Sequence, residues 1–173
     1  MKSETMEEHK KKSPIKVNCG VITLSDTKYK DKQNGVNTDL SGEIIVEELK
    51  KKYTVKSYEI IPDEKKQLLK IIEKMKAENI DVILTTGGTG IGSRDITIET
   101  VKPLFEKKIN GFGEIFRLKS YEKLGSGAML SRAVAGTYGK TIIFSMPGSP
   151  NAVKLGISLI IDELGHLKKH LNE

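Results

Sequence analysis

One cysteine, no tryptophan and only nine phenylalanine and tyrosine residues in a chain of 173 leave little material for several kinds of protein. Cys19 stands alone, which excludes a disulfide within the chain and any CxxC-type metal site. It falls inside an apolar run and reads as a small core residue rather than a nucleophile. The three histidines are His9 near the start and His166 and His170 near the end, an arrangement that does not support a histidine general base. No apolar stretch approaches the length of a membrane span. Residues 1–13 are nearly all polar and lack the apolar segment of a secretory signal, so they read as a disordered lead-in to a domain spanning 14–173. These absences point to a cytoplasmic protein that does not enter the membrane.

The formal net charge is +6, from 29 basic and 23 acidic residues. Lysines and glutamates are mixed along helical segments, the pattern of a solvated face. The aromatics do not interleave with the basic residues, so no stacking platform for nucleic acid is evident. Arginine is scarce, and its placement is informative. Arg94, Arg117 and Arg132 all lie in the half of the chain that carries the glycine motifs, where a planar cationic fork suits phosphate.

Apolar periodicity supplies the architecture. Residues 16–25, 53–61 and 80–86 read as strands, separated by helical stripes over 39–52 and from Pro62-Asp63 onward through Leu68, Leu69, Ile72 and Met75. A polar loop is expected between Ser25 and Asn37. Further helices are expected from Ile98 and over 111–123. Residues 133–137 and 141–146 read as a hairpin turning at Tyr138-Gly139, and Ser149-Pro150 starts a single helix reaching about Leu171. The alternation of strand and helix implies one three-layer α/β/α domain, its sheet mostly parallel with one antiparallel strand.

Ser25-Asp26, Asp63, residues 86–95 and residues 146–149 all follow expected strands, and in a parallel sheet such ends share one edge. Thr85, Thr86, Gly87, Gly88, Thr89 and Gly90 join a strand to a helix, where glycine lets backbone N–H groups face an anion. The segment is no Walker A loop, since no lysine occurs between Lys76 and Lys102. Ser93 stands where a dinucleotide fingerprint needs its third glycine. Arg94 and Asp95 add a phosphate fork and a carboxylate. Asp95 or Thr97 also suits a plain helix cap, as does Asp63 after Pro62. Pro147, Gly148 and Ser149 fit either a second anion-binding turn or a simple capped entry. Ser131-Arg132 fits an anion pocket or a structural arginine pair. Phe112, Phe116 and Tyr121 have the spacing of core or interface packing.

Taken together, Thr85-Thr86-Gly87-Gly88-Thr89-Gly90 with Arg94-Asp95, Gly111-Phe112-Gly113-Glu114, Leu130-Ser131-Arg132 and Met146-Pro147-Gly148-Ser149 resemble the MogA/MoaB family of molybdenum cofactor biosynthesis. Ser25-Asp26 and Ile61-Pro62-Asp63 fit the same pattern, and Ser41-Gly42 leans toward the MoaB branch. The resemblance implies a molybdopterin-binding fold and a molybdopterin adenylyltransferase that uses ATP and Mg²⁺ and releases pyrophosphate. It assigns the catalytic and metal-holding positions to Asp63 and Asp95. Some MoaB-branch members have lost one of these acids, whereas this chain keeps both. Ser25 and Asp26 would shape the nucleotide side. Thr86, Gly87, Gly88, Thr89, Gly90, Arg94, Ser131, Pro147, Gly148 and Ser149 would hold pterin and phosphate groups. A homotrimer or hexamer is implied, with residues 111–124 as a candidate contact surface, together with transient contact with a metal-insertion protein. A carrier or scaffold that binds molybdopterin without adenylating it is the alternative.

Overall fold

The computed structural model describes residues 16–173, so the lead-in expected at 1–13 lies outside the described residues. Six strands form one sheet in the order β2-β1-β3-β6-β5-β4. They are β1 (Asn18–Leu24), β2 (Thr54–Ile61), β3 (Val82–Thr86), β4 (Lys107–Lys108), β5 (Val134–Tyr138) and β6 (Thr141–Met146). The β1–β2, β1–β3 and β3–β6 pairs are parallel, while β5 runs against both of its neighbours. The expected single antiparallel strand is therefore β5. The two-residue edge strand β4 was not anticipated, because nothing in Lys107-Lys108 marks a strand except its pairing with Gly136 and Thr137.

Alternate residues of the central strands supply the two faces, as a pleated sheet requires. Val21, Leu84, Phe144 and Met146 pack beneath α2 (Leu40–Lys50), α5 (Asn110–Leu124) and α6 (Pro150–Ile160) through Ile45, Leu49, Phe112, Phe116, Val153 and Ile157. On the other face, Ile22, Leu24, Ile83 and Ile143 meet Leu68, Ile72 and Met75 of α3 (Lys65–Ala77) and Val101 of α4 (Thr97–Val101). Coverage on both faces explains why these strands read as continuous apolar runs.

Two expected features differ. The polar stretch after β1 is not all loop: α1 (Asp26–Gln33) occupies it without burying a single side chain. With no apolar stripe to betray it, this helix rests on its ends. The Ser25 hydroxyl accepts the Lys28 N–H, Asp26 lies in the first turn, and Lys30 and Lys32 lie in the last. The final helix is divided into α6 and α7 (Leu164–Asn172) by a turn at 161–163. There the Tyr53 hydroxyl donates to the Ile161 carbonyl at 2.8 Å, and Lys52 pairs with Asp162. The turn residues Ile161, Asp162 and Glu163 include no glycine or proline.

Parallel register sets the position of the functional edge. Leu24 pairs with Ile61, Thr23 with Thr86, and Thr86 with Met146. The residues after β2, β1, β3 and β6 therefore leave the sheet side by side, over a row of about 15 Å at the usual strand spacing.

Phe144 is buried at the centre of this arrangement, edge-on to Phe112 with ring centroids 5.1 Å apart. Phe144→Ala is expected to lower unfolding free energy by about 3–5 kcal/mol. Denaturant titration with an unchanged m-value checks this.

Candidate active site

Asp26 and Asp63 face each other across the ends of β1 and β2. Each carboxylate accepts the other residue's backbone N–H, both at 3.1 Å. Asp26 also receives Arg94 through Nε at 3.1 Å and Nη2 at 2.6 Å. The Arg94 hydrogen bond, with the Asp63 amide behind it, holds the Asp26 carboxyl below its ordinary pKa. Asp63 moves the other way: burial raises its pKa, and the charges of Asp26 and Asp95 add to the rise against the Asp26 amide and Arg94. Two neighbouring carboxylates are thus pushed apart in acidity by one arginine and unequal burial. Asp63 does not cap the helix that follows it, because Glu64 occupies that position and makes no side-chain cap bond.

The loop after β3 is shaped by close approach. Gly87 and Gly88 have φ values of +89° and +59°, in the region that glycine adopts freely. A Cβ on Gly87 would collide with the Leu24 carbonyl oxygen, and one on Gly88 would lie 2.9 Å from Asp63 Oδ1. Thr97 staples the loop from below, its N–H donating to the Gly88 carbonyl and its hydroxyl to the Gly87 carbonyl. Asp95 closes the far end by accepting the Gly92 N–H at 2.9 Å. Neither Asp95 nor Thr97 caps α4, whose first position follows Ile96 without a side-chain cap bond. Arg132 donates to the Thr89 carbonyl and makes a bidentate pair with Glu99 at 2.7 and 3.0 Å, so its guanidinium braces the loop.

The turn after β6 lies against the same loop. A Cβ on Gly148 would stand 3.1 Å from Gly87 Cα, and the Thr86 hydroxyl donates to the Pro147 carbonyl. Ser149 caps α6 by accepting the Ala152 N–H at 3.2 Å, as its position before Pro150 implies. Pro147, Ser149 and Ser131 also border a cavity of about 610 Å³ whose rim includes Lys123, Asn151 and Lys154. Ser131 precedes β5 and ends the 3₁₀ segment over Gly125–Leu130. Thr86 is buried and spent on the loop, whereas the cavity's two lysines were not foreseen. Both sit in helices among many solvated lysines, and only folding brings them to the serines.

A buried carboxylate holds this edge from behind. Asp39, fully buried, accepts from Tyr58 OH at 2.6 Å, the Gly42 N–H at 3.0 Å and Lys28 Nζ at 3.1 Å. Burial opposes its ionisation, but the Thr23 and Tyr58 hydroxyls, the Gly42 amide and Lys28 outweigh that cost and leave its pKa lowered. Two residues on, the Ser41 hydroxyl donates to the Gly148 carbonyl at 2.7 Å. Asp39 thereby joins α1, α2 and β2 to the turn after β6.

Asp63 Oδ1 is buried without a hydrogen-bond partner, an uncommon state for a carboxylate oxygen. Among the described residues no three His, Cys, Asp or Glu side chains gather into a metal cage. One or two carboxylates suffice for a small divalent cation that arrives on phosphate oxygens. Asp63 and Asp95 fit that kind of ion.

Comparison with known proteins settles the family. Residues 20–166 match the domain family described as "Probable molybdopterin binding domain". The chain belongs to that family. It is 47% identical over 172 residues to "Molybdenum cofactor biosynthesis protein B" of Bacillus anthracis, covering 97% of this chain and 98% of the relative. It is 46% identical to the "Molybdopterin adenylyltransferase" of Pyrococcus furiosus, covering 97% and 99%. Among solved structures, the tungsten cofactor synthesizing protein MoaB from Pyrococcus furiosus superposes with a TM-score of 0.84 at 45% identity, covering 93% of this chain and 100% of that one. Family membership and the three-layer α/β fold thus agree with the motif order. No helix among the described residues is long and apolar enough to cross a membrane.

Because the folded-state pKa of Asp39 is lowered, its ion pair stabilises the protein above the ordinary carboxylate range and loses that effect as pH falls through the lowered value. Asp39→Asn is expected to cost about 2 kcal/mol at neutral pH. Urea unfolding of both proteins across acid pH should show the difference shrinking toward zero.

Proposed function

We propose that this protein is a molybdopterin adenylyltransferase, and that the edge carrying Asp63, Gly88 and Arg94 is where the transfer occurs. The observation that carries the reading is the unpartnered, buried Oδ1 of Asp63 facing a glycine loop with no room for a side chain. An acceptor oxygen kept dry and unpaired suits a cation delivered with ATP. The names of the relatives supply the substrates.

In the reaction the terminal phosphate oxygen of molybdopterin attacks the α-phosphorus of ATP. The bond to the β-phosphate breaks, and pyrophosphate leaves with the electron pair. Mg²⁺, held by Asp63 and Asp95, would neutralise charge on the phosphates. The protein's own part is positioning. Asp26 fixes Arg94 through Nε and Nη2, which orients the guanidinium toward the phosphate-bearing edge without conformational search. Gly87, Gly88, Thr89 and Gly90 let backbone amides approach the phosphates. Ser131, Pro147, Gly148 and Ser149, with Lys123 and Lys154 on the cavity rim, receive the pterin and its phosphate. Ser25 and Asp26 border the nucleotide.

The reading extends to assembly. Ile115, Leu118, Tyr121 and Leu124 of α5 are exposed, as are Met129 and Leu130 just beyond it. Large apolar side chains grouped in this way mark a contact surface, and a homotrimer or hexamer built on α5 accounts for them. Leu118→Glu with Tyr121→Glu is expected to reduce the native mass to that of a smaller species, read by light scattering. An unchanged mass removes α5 from the interface.

The central test is product formation from molybdopterin and ATP with and without Mg²⁺. Asp63→Asn and Asp95→Asn are each expected to reduce turnover by at least about 100-fold, on the scale of losing one preorganised electrostatic group. Tight molybdopterin binding without adenylation in the wild type would instead identify a carrier.

A further inference from the structure

The last helix presents two histidines that the proposed reaction does not use. His166 and His170 stand one turn apart on α7, and their Nε2 atoms face each other at 2.8 Å. The ring centroids are 4.4 Å apart. A carboxylate lies beside the outer nitrogen of each ring, Glu163 Oε2 at 3.5 Å from His166 Nδ1 and Glu173 Oε2 at 3.2 Å from His170 Nδ1. Such neighbours favour the imidazole proton on Nδ1, which leaves Nε2 free as the ligand atom. With that tautomer on both rings, two Nε2 lone pairs converge on one point, where a cation can accept both.

The surrounding charges leave that point accessible. Lys168, on the inner side of the helix, is committed to Asp81 and to the Lys16 carbonyl. Lys169 is held by Glu173 at 3.8 Å. Leu164, Leu167 and Leu171 bind α7 to the core, so the imidazoles look outward, with His170 61% and His166 27% exposed. Through Lys168 and Asp81 the helix sits at the amino-terminal edge of β3, the edge opposite the candidate active site.

We propose that His166 and His170 form a bidentate site for a divalent transition metal of tetragonal preference, Cu²⁺ or Ni²⁺, with water completing the coordination. The bite decides the class of metal. With nitrogens 2.8 Å apart and metal–imidazole bonds of about 2.0–2.1 Å, the N–M–N angle is about 85–90°. That is the right angle of a square-planar or octahedral ion, and it falls well short of the tetrahedral angle that structural zinc requires. A bound ion would bridge one turn of α7 and stabilise the folded chain by mass action.

The test uses the full-length chain without an affinity tag. Calorimetric titration with Ni²⁺ and electron paramagnetic resonance of the Cu²⁺ complex should report one metal per chain with nitrogen coordination. His166→Gln and His170→Gln, each checked for unchanged helical circular dichroism, are expected to weaken binding by about tenfold or more. His9→Gln should leave it unchanged. A rise in Tm on adding Ni²⁺ should occur in the wild type and vanish in the double variant. Equal binding by wild type and double variant, loss of binding in His9→Gln, or no saturable uptake would each overturn the proposal.

Discussion

Parallel pairing of β2, β1, β3 and β6 is the constraint on which the site depends. Hydrogen bonding in a parallel ladder leaves little freedom of register where both sheet faces are buried, because a one-residue slip would turn every core side chain to the wrong face. Leu24 beside Ile61 and Thr86 beside Met146 therefore fix where four separate loops begin. Asp26, Asp63, Gly87 and Gly148 are far apart in the chain and become neighbours only through that register. The antiparallel β5 contributes from the other direction, bringing Ser131 and Arg132 to the same edge before its first residue.

Behind the edge, polar groups take over from apolar packing. Asp39 is a fully buried carboxylate whose donors come from α1, α2 and β2, so the elements bordering the site are coupled through one charge. Burial also pushes up the Tyr58 hydroxyl pKa, and the Asp39 charge reinforces that rise, keeping Tyr58 a donor. Breaking such a cluster is costly because each remaining partner stays desolvated. At the front the opposite principle holds: Asp63 Oδ1 is left without a partner, at a local cost in stability. Stability invested at Asp39 supports a site that is not itself optimised for stability.

Charge at the edge is divided with similar economy. Arg94 is held by Asp26 and not by Asp63, so one carboxylate ionises readily, while burial raises the pKa of its neighbour. Arg132 is spent on Glu99 and the Thr89 carbonyl. Of two arginines near the glycine loop, one braces the backbone and one stands beside the acids. A residue count cannot distinguish them.

Much of this was legible in the chain. Continuous apolar runs identified β1 and β3 because both sheet faces are covered, and glycines marked the turn after β3 because only they fit against Leu24 and Asp63. Ser149 before Pro150 announced a cap that the folded chain makes. Helix α1 was not legible, since a helix that buries nothing carries no stripe. The break between α6 and α7 was equally hidden, because Tyr53, more than a hundred positions away, makes it. Asp63 looked like a cap, but the folded chain puts Glu64 in that position and exchanges hydrogen bonds between Asp63 and Asp26. Local sequence thus determined most of the strands and helices, α1, β4 and the break between α6 and α7 excepted, because propensity and turn chemistry act over a few residues, and the motif order determined the family. Which side chains share a pocket, and which carboxylate oxygen is left without a partner, was decided by tertiary structure alone. Desolvation and long-range hydrogen bonding exist only once distant strand ends are brought together.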